Sequence, residues 1–261
     1  MEDTITLDLA DGIAVLTLNR PERMNALNAA LKTRLGEAIG EVAANEAARV
    51  LILTGAGGKA FCAGADIRER AASEQGPADF MESQRRTHAL FSAIAELRKP
   101  VIAALNGVAL GGGLEIALCC DFRIAARSAR LGLTEVNLGV VPAGGGTQRL
   151  ARLVGTAAAK RLIMTGTILT ADQALTIGLI DEVVADDALM ARARALADEL
   201  AAKPPLALRF AKMAIDQGAQ TDLRSALEFE LYAASILFAS EDRKEGMRAF
   251  LEKRKPVFKG R

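Results

Sequence analysis

The stretch Val101-Ile-Ala-Ala-Leu-Asn-Gly-Val-Ala-Leu-Gly-Gly-Gly-Leu-Glu115-Ile-Ala-Leu-Cys-Cys120 decides how this chain is read. It is the most membrane-like run in the sequence, yet it carries Asn106 and Glu115 and is rich in glycine. A bilayer span carries such groups only at a cost. The run reads instead as a buried strand, a glycine turn and a buried helix. An ionised side chain is expensive to bury without a partner, so Glu115 needs a reason to stand among apolar neighbours. A second carboxylate, Glu135, sits in Leu131-Gly-Leu-Thr-Glu-Val-Asn-Leu-Gly139, again in an apolar context. Two embedded acids beside glycine turns point to acid/base chemistry next to a backbone anion hole.

Outward from this stretch, the pattern alternates strand and helix. Ile5-Thr-Leu-Asp-Leu9 and Ile13-Ala-Val-Leu-Thr-Leu18 read as strands joined by the turn signal Ala10-Asp-Gly12, with Asn19-Arg-Pro21 ending the second. Asn28 is placed to cap a helix whose apolar positions include Leu31, Leu35, Ile39 and Val42. Val50-Leu-Ile-Leu-Thr54 and Pro100-Val-Ile-Ala-Ala-Leu105 are short buried strands. A helix is expected over about 79–97, with Phe80, Leu90, Phe91 and Ile94 as its apolar positions. Thr170-Ala-Asp-Gln173 opens another helix as a capping box, Gly178 closes it, and Val183-Val184 follows as a strand. The repeated change of period predicts an α/β domain. Beyond about residue 187 the pattern turns helical: 189–202, then Lys203-Pro-Pro205 as a break, 206–217 ended by Gly218, and 222–239, with Pro256 stopping the last pattern.

The bulk numbers set limits. A chain of 261 residues can bury a sizeable core. The formal net charge is +1, so no strong field steers it toward nucleic acid or an anionic membrane. Cys62, Cys119 and Cys120 have neither metal spacing nor a disulfide pattern and suit a reducing compartment. No basic region precedes an apolar stretch at the N-terminus, so a cytoplasmic location is expected.

The remaining chemistry is sorted by elimination. In Gly111-Gly-Gly-Leu-Glu115, glycines permit close approach and positive φ, and N–H groups at the strand-to-helix turn could stabilise charge on a carbonyl oxygen. A tight turn without a ligand would look the same. Phe61-Cys-Ala-Gly-Ala-Asp66 is a second turn that could present the Ala65 N–H to the same oxygen. Gly55-Ala-Gly-Gly-Lys-Ala60 superficially matches a dinucleotide fingerprint, but no helix body follows and it reads as a surface turn. Pro142-Ala-Gly-Gly-Gly-Thr-Gln-Arg149 reads as a supporting loop that positions Glu135 or its neighbours, with a helix starting near Thr147. His88 is the sole histidine, has no nucleophile motif around it, and reads as a surface or partly buried helix residue. Glu2, Glu22, Glu37, Glu41, Glu96 and Glu199 read as solvated faces, and Asp66 and Asp121 as turn braces. No His, Cys or acid spacing suggests zinc.

With these residues in view, the chain resembles the enoyl-CoA hydratase/isomerase, or crotonase, family over nearly its whole length. The resemblance is carried by Leu18-Asn-Arg-Pro21 with Asn25-Ala-Leu27, by Ala60-Phe-Cys-Ala-Gly-Ala-Asp66, and by Lys99-Pro-Val-Ile-Ala-Ala104 with Asn106-Gly107. Ala109-Leu-Gly-Gly-Gly113, Cys120-Asp121, and Pro142 with Gly144-Gly-Gly-Thr-Gln-Arg149 extend it. So do Glu241-Asp-Arg243, Glu245-Gly246, Ala249-Phe250 and Glu252-Lys-Arg254.

The resemblance implies a crotonase-like spiral of ββα units over 1–187 and a helical C-terminal region over 188–261 used in oligomerisation. It implies that Glu115 and Glu135 are the catalytic acids and that the N–H groups of Ala65 and Gly112 form the oxyanion hole. It also implies that CoA is met around Ala63, Ala65, Asp66, Ile67, Arg68 and Gly112, with Ala63 at the adenine and Arg68 near a phosphate. An acyl-CoA is then the substrate, no separate cofactor or metal is needed, and the chain assembles as a trimer or a dimer of trimers without membrane or nucleic acid. Retention of both glutamates favours a hydratase of short-chain 2-enoyl-CoA over an isomerase, a thioester hydrolase or a dehalogenase. Several motifs, including Gly113-Leu-Glu-Ile116, Leu131-Gly-Leu-Thr-Glu135 and Ala214-Ile-Asp-Gln-Gly218, also resemble the methylglutaconyl-CoA hydratase branch. Some members of that branch bind RNA through a lysine-rich helix; the corresponding segment over 84–99 is not lysine-rich here. The more usual hydratases often carry a glutamine-proline pair before the second glutamate, where this chain has Leu133-Thr134. The alternatives carried forward are that branch, an enoyl-CoA isomerase, and an RNA- or acyl-CoA-binding protein.

Overall fold

The computed structural model describes residues 3–72 and 74–261, so Glu2 lies outside the described residues. The chain opens with a hairpin of β1 (Ile5–Ala10) and β2 (Ile13–Leu18). Asp11 and Gly12 both take positive φ, 53° and 80°, the tight hairpin turn that an Asp-Gly pair favours. In α1 (Ala29–Ala44) the Asn28 side chain accepts the Leu31 N–H, as its position predicts. Leu31, Leu35, Ile39 and Val42 all face the core, each contributing roughly 1.5–3 kcal/mol of burial.

Three strand pairs follow: β3 (Val50–Gly55) with β4 (Ala60–Cys62), β5 (Val101–Leu105) with β6 (Val108–Leu110), and β7 (Phe122–Ala126) with β8 (Arg130–Gly132). Later come two shorter strands, β9 (Leu169–Thr170) and β10 (Glu182–Val184). In every pair the first strand enters one sheet and the second enters another. The large sheet runs β1-β2-β3-β5-β7-β10 and the small one β4-β6-β8-β9. Pairing between units is parallel, and only β1–β2 and β8–β9 are antiparallel. Helices α2 (Ile67–Ala71) and α3 (Pro77–Ala95) follow the first pair, and α4 (Gly112–Ala117) follows the second. A 3-10 turn (Glu135–Leu138), α5 (Gly146–Val154) and α6 (Thr156–Thr165) follow the third. This is the expected spiral of ββα units.

The apolar run of β3 is explained by burial on both faces. Leu51 and Leu53 join the core between the sheets, while Val50 and Ile52 lie under α8 (Leu189–Ala201), against Leu189, Ala193 and Ala197. The helical region thus begins, past residue 187, with a helix that covers the large sheet. The capping box at Thr170 and Gln173 forms as predicted and starts α7 (Ala171–Thr176). The last helices, α9 (Pro205–Gly218), α10 (Leu223–Ala239) and α11 (Glu241–Leu251), bury only Ala233, Asp242 and Ala249. An ion pair of 2.9 Å between Lys212 and Asp121 ties α9 to the start of β5 and β7, where Asp121 also accepts the Val101 N–H.

Three expected boundaries shift. α3 starts at Pro77, and Phe80 stays exposed because it lies on the solvent side of that helix. Gly218 is the last helical residue of α9 and does not break it; Ala219, in right-handed conformation, is the cap. α11 ends at Leu251, well before Pro256, where Lys253 turns the chain with a φ of 53°.

Candidate active site

β4 and β6 are parallel neighbours, so the turns at their C-terminal ends lie side by side. A Cβ built on Gly64 would stand 2.9 Å from the Leu110 oxygen and 3.4 Å from the Gly112 nitrogen. One built on Gly112 would stand 3.9 Å from the Ala65 nitrogen. The two N–H groups expected to form an oxyanion hole are therefore brought together. The Ala65 N–H has no hydrogen-bond partner among the described residues. Gly112 opens α4, and a helix's first N–H groups have no acceptor within the helix. Both residues are half-buried, whereas Gly111 and Gly113 on either side are buried.

The three glycines have separate reasons. Gly111 takes a φ of 49° and a ψ of −124°, which L side chains rarely adopt. A Cβ on Gly113 would overlap the Cys62 carbonyl. At Gly112 a Cβ would intrude toward Leu27 and the Ala65 N–H. The 63–66 turn is fixed from outside. Leu27 donates to the Gly64 oxygen at 2.7 Å and accepts from the Asp66 N–H at 3.0 Å. The Asp66 carboxylate pairs with Arg20 at 3.1 Å and caps α2. Both polar ends of Asp66 are thus committed to the turn. Asn25, fully buried with a φ of 56°, donates to Ala56 and Ala60 and accepts the Arg20 N–H; only its place in a motif drew notice to it in the sequence. Ala63 is half-buried and donates its N–H to Met24, while Ile67 and Arg68 are exposed on α2.

Glu115 sits in the first turn of α4 with only 5% of its surface exposed. Its Oε1 accepts two N–H groups, from Gly144 and Gly146, both at 2.8 Å. Glycines are required here, since a Cβ on Gly144 would collide with Glu115 Oε2 and Phe91. The 142–149 loop therefore holds Glu115, where its sequence had pointed to Glu135 or its neighbours. Burial pushes the Glu115 carboxyl up, while the Gly146 and Gly144 N–H groups, Arg149 and His88 oppose that rise.

Glu135 begins the 3-10 turn after β8, and β8 is the neighbour of β6. Gly111 donates to the Gly132 oxygen at 2.9 Å, which fixes this turn against the glycine turn that opens α4. Glu135 Oε2 is buried without a hydrogen-bond partner. Burial, with a further push from Glu115, raises its pKa to about 7. The acids thus share a site but not an environment. Two N–H groups oppose the effect of burial on Glu115, while burial raises Glu135 to about 7 and its Oε2 has no donor. Two carboxylates in such unlike surroundings are an arrangement suited to acid/base chemistry.

Other candidates fall away. Burial pushes the Cys62 and Cys119 thiols up to about 12, so neither is an activated nucleophile. His88 lies on α3 and bonds a backbone carbonyl. Among the described residues no group of three His, Cys, Asp or Glu side chains is placed to hold a metal ion. None of the described helices is long and apolar enough to cross a membrane. A groove of about 360 Å³ opens between α3 and the 142–148 loop, walled by Phe80, Met81, Gln84, His88 and Pro142.

The chain is similar to known proteins over nearly its whole length. The chain is 44% identical over 265 residues to a crotonyl-CoA hydratase of Syntrophomonas wolfei, covering 98% of each chain. It is 44% identical over 253 residues to a short-chain-enoyl-CoA hydratase of Clostridium acetobutylicum, covering 97% of this chain and 96% of the other. The crystal structure of an enoyl-CoA hydratase from Bacillus anthracis superposes with a TM-score of 0.95 at 43% identity, over 99% of this chain and all of the other. The sequence profile of enoyl-CoA hydratase/isomerase matches residues 8–261, and with two acids in unlike surroundings beside a pair of abutting glycine turns, the chain belongs to that family.

Proposed function

We propose that the protein is a hydratase of short-chain 2-enoyl-CoA thioesters, adding water across C2–C3 to give the 3-hydroxyacyl-CoA. The observation that carries this is the unequal pair of carboxylates: Glu115 Oε1 held by two N–H groups, Glu135 half-buried with its Oε2 lacking a hydrogen-bond partner. The Ala65 and Gly112 N–H groups polarise the thioester carbonyl and stabilise the charge that develops on its oxygen. Glu115 takes a proton from water as the water oxygen bonds to C3. Glu135 gives its proton to C2. The proton taken by Glu115 then passes to Glu135, which restores both groups. An isomerase needs only one acid to move a proton, so two differently tuned acids favour hydration.

In this reading CoA runs past Ala63 and the exposed Ile67 and Arg68, with Arg68 near a phosphate and Asp66 keeping the turn in shape. The exposed Leu223, Leu227 and Leu231 recur along one face of α10 and support assembly as a trimer or a dimer of trimers. Three buried free thiols suit the reducing cytoplasm. The test is loss of the conjugated thioester absorbance with crotonyl-CoA and 3-methylglutaconyl-CoA side by side. Faster turnover of crotonyl-CoA is expected. A strong preference for the branched substrate would move the protein to the methylglutaconyl-CoA branch, and failure on every 2-enoyl-CoA would overturn the reading.

A further inference from the structure

We infer that Gln84 and His88 are positioning residues for Glu115, acting through the single peptide group that joins Ala143 to Gly144. The kinetic part of this inference rests on the hydratase reading; the titration part does not.

The two side chains stand four residues apart on α3 and share one face of it. Gln84 Nε2 donates to the Ala143 oxygen at 3.0 Å, and His88 Nε2 bonds the same oxygen at 2.6 Å. A carbonyl only accepts, so the His88 proton is on Nε2, and the two donors occupy both lone pairs of that oxygen. The peptide is trans, so its N–H points the opposite way from its carbonyl. That N–H belongs to Gly144 and donates to Glu115 Oε1 at 2.8 Å. Phe91, three residues beyond His88, fills the space where a Gly144 Cβ would lie. One face of α3 therefore grips the peptide whose far side holds the base. The next carbonyl, that of Gly144, is held in turn by Arg149 Nη1 at 3.0 Å.

Three consecutive glycines, 144–146, have no side chains with which to hold the loop, and glycine backbone is costly to order. Hydrogen bonds must set the plane of each peptide. Rotation of the Ala143–Gly144 plane would turn a carbonyl oxygen toward the Glu115 carboxylate and remove a donor from it. Donors on the carbonyl also polarise the amide and strengthen its N–H. Around Glu115 stand Arg149 from α5, His88 from α3, Glu135 from the 3-10 turn and the Cys119 thiol from the turn that follows α4. Arg149 and His88 favour the carboxylate and Glu135 opposes it. This peptide supplies one of the two N–H groups in direct contact with the Glu115 carboxylate, beside that of Gly146, so its orientation bears on how readily Glu115 ionises.

The test compares wild type with the double variant Gln84→Leu/His88→Leu, with His88→Leu alone, and with His88→Gln, which keeps an N–H donor but carries no charge. Each protein is labelled with glutamate carrying carbon-13 in its side-chain carboxyl. The Glu115 signal is identified by its loss in Glu115→Gln and followed across pH. Glu115 is expected to titrate about one pH unit or more higher in the double variant, to shift less in His88→Leu, and to return toward wild type in His88→Gln. In crotonyl-CoA hydration, the double variant is expected to lose about tenfold in kcat on the acid limb of its pH profile with KM nearly unchanged, as that limb moves up with the titration. If the double variant does not fold, His88→Leu against His88→Gln makes the same comparison. An unchanged Glu115 titration in a folded variant, or a shift that His88→Gln fails to rescue, would overturn the inference. A protein that shows the shift and its rescue but hydrates no 2-enoyl-CoA would support the positioning and remove the hydratase reading.

Discussion

Glu135 lies directly against Gly111: a Cβ on Gly111 would stand 3.0 Å from Glu135 Oε1. The carbonyl of the same glycine accepts the Glu115 N–H at 2.9 Å, so this one residue adjoins both acids. Gly111→Ala would add the strain of positive φ, about 1–3 kcal/mol, and press on the Glu135 carboxylate. The expected result is a lower melting temperature together with a kcat loss of roughly tenfold or more, larger than the lost stability explains. Calorimetry and initial rates on the folded fraction check it.

Gly112 and Gly113 are adjacent, yet they should fail differently. Gly112→Val puts methyl groups in front of the Ala65 N–H, and removing one such donor typically costs about 10²–10³ in kcat. Its melting temperature should change little, because the contact it meets first is the movable end of Leu27. Gly113→Ala meets the Cys62 carbonyl, which is backbone and cannot yield. That variant should lose folded yield first, and its remaining folded fraction should keep most of its activity per site. Melting curves paired with rates separate the two.

The pH profile of hydration should reflect Glu135. With its pKa raised to about 7 by burial, the acid loses its proton within the working range. kcat/KM should fall by about tenfold per pH unit above that point. The residual activity of Glu135→Gln should lack this alkaline limb.

Stability should carry the same signature with a definite sign. Glu135 holds its proton more tightly folded than unfolded, so the folded state binds more protons between the ordinary carboxylate range and about pH 7. Stability therefore falls as pH rises through that window, and the full penalty stands above it. Glu135 is half-buried, so screening by solvent reduces the effect to about 1–2 kcal/mol. Glu135→Gln should be more stable than wild type by about that amount near pH 8 and about equal to it near pH 4. Thermal melts at the two pH values test it.

Much of this was legible because it is local. Asp11-Gly12 specifies its own hairpin turn, Asn28 and Thr170 cap the helices that follow them, and Glu115 announces itself as a carboxylate among apolar neighbours. What stayed hidden is non-local or carried by backbone. Nothing in β3 and β4 tells that consecutive strands enter different sheets, since register between units is set by packing. The Gly144 and Gly146 N–H groups hold Glu115 across about thirty residues of chain, and every residue but proline has such a group. The stretch Pro142–Arg149 reads as a supporting loop, but its sequence does not tell that it holds Glu115. His88 looked inert because its partner is a carbonyl far along the chain.

The central claim is that two carboxylates in unlike surroundings together add water to an enoyl thioester. The most direct measurement is crotonyl-CoA hydration by wild type, Glu115→Gln and Glu135→Gln at neutral pH, with melting curves for all three. The account predicts turnover by wild type and a loss of about 10²–10⁴ in kcat for each variant, with neither melting below wild type by more than a few degrees. Wild-type activity retained in either folded variant would contradict it.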